Sequence, residues 1–132
     1  MFNIRANNSV CLKWLLWSLL LSASAAKAAV PAIEMGKPET YCVVYCYIRA
    51  PFSITNYGPG QKVGRVFCDF DAEVTAALPV YKGETKTKGL QASSIGVFRA
   101  QDGVGHGDVE ISTGVIKNYF LNAKTKSIRC HL

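Results

Sequence analysis

Histidine is scarce in this 132-residue chain, with only His106 and His131, and the signatures of several large enzyme classes are missing. No serine lies in a Gly-x-Ser-x-Gly elbow, which excludes the α/β-hydrolase arrangement. No glycine-rich loop ends in the lysine that cradles phosphates, and no Cys-x-x-Cys lies near a βαβ pattern, so nucleotide hydrolysis and thioredoxin-type redox chemistry lack their residues. Internal repeats and low-complexity tracts are absent. No apolar run reaches the roughly 20 residues that a membrane-spanning helix needs.

The apolar run that is present covers 13 residues, from Trp14 to Ala26. Arg5 and Lys13 precede it, and Ala26-Lys27-Ala28 follows with small residues at the spacing a signal peptidase reads. We therefore expect residues 1–28 to be a secretory signal peptide, with cleavage after Ala28, or after Ala25, where Ala23-Ser24-Ala25 fits the same rule. A lipid anchor would need a cysteine just after the apolar block, whereas Cys11 lies before it. The expected mature protein is exported, periplasmic or secreted, and carries no membrane attachment once the signal is cut.

Cleavage changes the charge. Loss of Arg5, Lys13 and Lys27 leaves 12 basic residues against 9 acidic ones, so the whole-chain net charge of +6 falls to +3. That is too mild to imply a nucleic-acid partner. Cleavage also removes Cys11 and leaves an even set, Cys42, Cys46, Cys68 and Cys130, which an oxidising compartment turns into two disulfides.

Residues 29–39 contain Pro31, Gly36 and Pro38 and read as an extended lead-in to a single β-rich domain over residues 40–132. Thr40 to Ile48 is dense in β-branched and aromatic residues, as a strand requires. The breaker cluster Asn56-Tyr57-Gly58-Pro59-Gly60 separates it from a second strand over Lys62 to Val74. Ala72 to Leu78 admits a helical turn limited by Pro79, and Lys82 to Lys88 reads as an exposed loop or hairpin tip. After the short apolar run Ile95 to Ala100 and the glycine-rich turn Gln101 to Gly107, Val109, Ile111, Thr113 and Val115 recur at period two, so this face should look inward. A final hairpin is expected from Tyr119–Leu121 and Ser127–Leu132 around Asn122 to Thr125. Many short strands with turn signals between them predict an all-β fold with at most minor α, a small antiparallel sandwich or barrel stapled by two disulfides.

If Cys42 and Cys46 share one strand, four residues of rise place them about 13 Å apart, beyond the roughly 7 Å between Cα atoms that a disulfide tolerates. A hairpin turning at Tyr57 sets Cys46 opposite Cys68 and leaves Cys42 for Cys130, which is the expected pairing. Zinc is the competing use of these cysteines with His131, but structural zinc ligands come in pairs two to four residues apart and only Cys42 and Cys46 approach this. No metal or cofactor is expected.

Catalytic candidates reduce to His106, Glu110 and His131. In Gln101 to Glu110, three glycines and Asp102, Asp108 and Glu110 surround His106, without the acidic spacing of a calcium loop. A small ribonuclease would use His106 and His131 as acid and base beside Arg99 or Lys117. Asp69, Asp71 and Glu73 alternate with apolar residues and form an acidic outer face, open to a basic partner. Tyr41, Tyr45 and Tyr47 share a strand parity opposite to Cys42 and Cys46, and with Tyr57 they form the candidate binding surface, tyrosine being a frequent interface anchor. The functional expectation is an inhibitor or immunity-like module acting by contact with another protein. A structural or toxin-type subunit that self-assembles or binds glycan is the alternative, and the ribonuclease the third.

Overall fold

The computed structural model describes residues 30–77 and 84–132. The expected signal peptide, both of its cleavage sites, and Leu78 to Gly83 lie outside the described residues. Those described form seven strands and no helix: β1 (Ala32–Met35), β2 (Glu39–Cys42), β3 (Tyr45–Thr55), β4 (Gln61–Ala77), β5 (Thr85–Gln101), β6 (Val104–Ile116) and β7 (Phe120–His131). They make one antiparallel sheet in the order β1-β3-β6-β5-β4-β7, with β2 paired to β3 beyond the end of β1. The sheet curls until its edges nearly meet, and Met35 Sδ on β1 lies 3.4 Å from Cys130 Sγ on β7. The expected all-β antiparallel fold with two disulfides is thus a nearly closed barrel.

Period-two alternation builds the interior. Cys46, Ile48, Ala50, Phe52 and Ile54 of β3, Val66 to Val74 at even positions of β4, Phe98 and Ala100 of β5, and Val109 and Ile111 of β6 are all buried. Each strand puts every second side chain inside, and a slip of one residue would turn its apolar set to water. The inward face expected for Val109, Ile111, Thr113 and Val115 is present, with Thr113 buried and Val115 half-buried. Two residues at the β5–β6 turn, Asp102 and Gly103, have φ of 50° and 89°. That is the Asp-Gly pattern a two-residue hairpin uses to match strand twist.

The aromatic core has a backbone requirement. The Phe52 ring packs against Gly96 of β5 and Gly107 of β6, and a Cβ added to Gly96 would come within 2.7 Å of it. Phe98 meets Phe52 edge-on at 6.0 Å and Tyr57 at 4.9 Å. The three rings fill the end of the barrel at which β3 gives way to β4.

Several local expectations are corrected. The segment Thr40 to Ile48 is not one strand: the chain bends at Val43-Val44 and returns, so Cys42 and Cys46 become cross-strand partners. They are bonded to each other, with Cα atoms 4.0 Å apart, and Cys68 is bonded to Cys130 across the β4–β7 ladder. The pairing of Cys46 with Cys68 and Cys42 with Cys130 is therefore wrong, because the 13 Å separation assumed a straight strand. The lead-in contributes a strand, β1, which pairs with the end of β3. Ala72 to Ala77 continues β4 rather than starting a helical turn, and Thr85 to Lys88 already belongs to β5. The final hairpin is a single strand, β7, in which Leu121 and Lys126 bulge out of register with β4. The bulge at Lys126 reverses the alternation, so that Thr125 and Ile128 are both half-buried while Lys126 and Ser127 point to water.

Candidate functional site

The β2–β3 hairpin gathers most of the tyrosines picked out in the sequence. Pairing of Tyr41 with Tyr47 stacks their rings at 5.4 Å and 22° on the outer face, opposite to buried Cys46. The guanidinium of Arg49 sits 4.8 Å from the Tyr41 ring centre, a cation–π contact. The Tyr41 hydroxyl donates to Glu110 Oε2 on β6. That hydrogen bond to a carboxylate, with some loss of hydration and the Glu110 charge, raises the Tyr41 pKa above its ordinary value, against the opposing pull of Arg49. Arg49 and Glu110 are register partners across β3 and β6. The cluster locks the base of the hairpin onto the barrel wall.

Ahead of this base the tip is apolar and open. Val43, Val44 and Tyr45 are 68%, 66% and 43% exposed. The Cys42–Cys46 disulfide closes the loop directly behind them, and Lys117 N–H donates to the Val44 carbonyl at 2.9 Å, which ties the tip to the β6–β7 turn. Valine carries no turn signal, so nothing in the residue pattern marks a tip there. Tyr57 belongs elsewhere: it packs edge-on against Phe98 at the ring-filled end, and its N–H donates to Gly103. Tyr41, Tyr45 and Tyr47 are brought together, and Tyr57 is not among them.

The catalytic candidates are dispersed. His106, on the outer face of β6, pairs with Arg99 on β5 and with Ser53 on β3. His131 stacks on Phe67 of β4 at 5.5 Å. Three inter-strand spacings separate the two histidines in sheet order, about 14 Å, and the strand register adds to this. Lys117 lies at the opposite end of β6 from His106. Glu110 shares the outer face with His106 but is four residues away, and Tyr41 occupies one of its oxygens. No pair among them shares a position from which acid and base could act on one bond.

The acidic row is matched within the chain. Asp69 and Glu73 face Arg129 and Lys124 across the β4–β7 ladder, with Asp71 opposite Ser127. Lys126 Nζ lies 2.9 Å from Glu73 Oε1, and the Ser93 hydroxyl donates to Asp69 at 2.6 Å. The hydrogen bond to Lys126 and its charge hold the Glu73 pKa below the usual carboxylate range, and the same bond and the Glu73 charge raise that of Lys126. An outer face neutralised in this way has little charge left for a basic partner. Farther along the same face, Val63, Phe67, Ile95 and Val97 form an exposed apolar strip on β4 and β5.

Among the described residues no group of three or more His, Cys, Asp or Glu side chains is placed to hold a metal ion, and the four domain cysteines are taken up in disulfides. No helix among them is long and apolar enough to cross a membrane. The disulfides fit an oxidising compartment. No family model, curated protein or solved structure matches this chain.

Proposed function

We propose that this chain is an exported binding protein that acts by contact with another protein, as an inhibitor or immunity-like module, through the tip of its β2–β3 hairpin. The observation that carries the reading is the exposure of Val43 and Val44 on a tip crosslinked immediately behind them by Cys42–Cys46. Apolar side chains in water gain by burial in a partner, and a loop already held in one conformation loses little entropy on docking. Tyr45 adds an aromatic anchor beside them. Export is supported by the Trp14–Ala26 apolar block with Ala26-Lys27-Ala28 after it, and by the disulfides.

The test is capture of a partner from a periplasmic or toxin extract by the purified protein and by a Val43→Asp/Val44→Asp variant. One protein retained by the first and lost by the second, with both disulfides intact, is the expected result; equal retention would overturn the assignment to the hairpin. A self-assembling subunit is the second reading, favoured by the Val63, Phe67, Ile95 and Val97 strip. Light scattering separates the two: a monomer supports the binder, and an oligomer dissolved by Ile95→Lys supports the subunit.

A further inference from the structure

Among the described residues, the end of the barrel away from the three rings is open, and its opening has a chemistry of its own. The β5–β6 ladder pairs Arg99 to Gln101 with Val104 to His106. Farther along, the Ser94 hydroxyl reaches the Glu110 carbonyl at 2.7 Å. Beyond that point the two strands diverge, and a half-open cavity of about 450 Å³ lies between them, with Leu90 and Lys88 on one side and Thr113 and Val115 on the other. That volume falls in the range of small-ligand pockets.

A bulge in β6 helps to hold the cavity open. Tyr45 pairs with Ile116 and Tyr47 with Ser112, so Thr113, Gly114 and Val115 face a single residue of β3, with Gly114 at φ 72°. The Thr113 hydroxyl donates to the Cys46 carbonyl at 2.7 Å and accepts from Val115 N–H at 3.2 Å, which fixes the distorted backbone. Those two hydrogen bonds hold this side of the cavity wall.

Lys88 gives the site its sign. Lys86 and Lys88 occupy inward-parity positions of β5, directly opposite Ala76 and Val74, where the rest of the strand carries Leu90, Ala92, Ser94, Gly96, Phe98 and Ala100. Inward positions of a barrel strand are normally apolar, so two successive lysines there are a departure that packing does not explain. Val74 and Ala76 beside them on β4 are buried, and among the described residues the space toward β6 is unfilled. Lys88 has no ion-pair partner among the described residues. An apolar hollow with the Lys88 ammonium at its mouth is complementary to a molecule with an aliphatic tail and an anionic head.

We propose that the open end of the barrel binds an aliphatic carboxylate, its chain between Leu90 and Val115 and its head group at Lys88. None of the residues lining the cavity belongs to the hairpin tip, and this proposal stands or falls independently of the one made for the tip. Calorimetric titration of the purified, oxidised protein with decanoate tests this, with decanol as the uncharged control. Decanoate is expected to bind saturably, Lys88→Glu to weaken it at least tenfold while leaving decanol unchanged, and Val115→Phe to abolish both by filling the cavity. Phosphatidylglycerol vesicles form a second arm: their capture in addition to decanoate binding, lost in the same two variants, shows that a lipid phosphate can take the carboxylate's place at Lys88, and its absence restricts the site to the free acid. Absence of saturable decanoate binding, or equal decanoate affinity in Lys88→Glu, would overturn the proposal, as would vesicle capture that Val115→Phe leaves intact.

Discussion

The two ends of the barrel run on the same strands and are finished with different side chains. At one end Phe52, Phe98 and Tyr57 meet at edge-on distances, and glycines on β5 and β6 make room for the rings. At the other, the inward positions hold Val74, Ala76, Thr113 and two lysines, and a bulge separates β6 from its regular pairing with β3. The difference teaches that alternation alone closes a barrel wall but does not fill its interior. Filling depends on side-chain volume, and among the described residues that volume is concentrated at one end. The stability of the domain should follow that distribution, leaving the open end freer to vary.

Removing volume gives the largest contrast. Phe98→Ala is expected to cost about 3–5 kcal/mol, the range for deleting a buried aromatic ring. Val115→Ala, at the half-buried rim, should cost less than about 1.5 kcal/mol, because fewer apolar contacts are lost there. Urea denaturation of both variants checks this; similar costs would mean that the open end is packed as firmly as the other.

The two disulfides give the next contrast. Cys68–Cys130 closes a sequence separation of 62 and Cys42–Cys46 one of 4. Restriction of the unfolded chain predicts that replacing the first pair by alanine costs about 4 kcal/mol, and the second about 2 kcal/mol. Loss of the second should instead show in the hairpin tip, as faster amide exchange at Val44 and Tyr45. If both replacements cost the same, the short bridge does more than order the tip.

The smallest effect is electrostatic. Tyr41 has its pKa raised mainly by its hydrogen bond to Glu110, so the stability this contact supplies is complete below the ordinary tyrosine pKa near 10 and is lost as pH rises through the higher folded value. Glu110→Gln should bring the Tyr41 titration back toward the ordinary value, as followed by tyrosinate absorbance. An unchanged titration would place the cause of the shift elsewhere.

Much of the barrel wall is legible in the residue pattern. β6 stands out because Val109, Ile111 and Thr113 alternate with residues that face water, and Asp102-Gly103 lies within the stretch that reads as a glycine-rich turn. The features that escape the pattern have a common cause: backbone pairing decides them, and side-chain periodicity carries no trace of it. Val43-Val44 looks like strand interior, yet it is where the chain reverses, and that reversal alone overturns the expected disulfide pairing. In β7 two bulges scramble the alternation, so Asn122 to Thr125 resembles a turn while lying in a ladder. β1 is four residues long and pairs only with the end of β3, too little for a periodicity to register. The cavity is less visible still, since it arises from the divergence of β5 and β6, which side-chain periodicity does not record. Among the candidate site residues, parity correctly sets Tyr41 and Tyr47 opposite to Cys46, but nothing local places Tyr57 against the core.

The seam where β1 and β7 approach without sharing a ladder leaves a consequence for how these molecules behave in a crowd. A barrel that does not close keeps a free strand edge, and a free edge is a template on which another chain can polymerise. β7 carries Lys124, Lys126 and Arg129 along that edge, with a bulge at Lys126 that twists its backbone out of line. The residues that neutralise the acidic row of β4 on one side thus also act as gatekeepers on the other, making the seam a poor seed for fibrils.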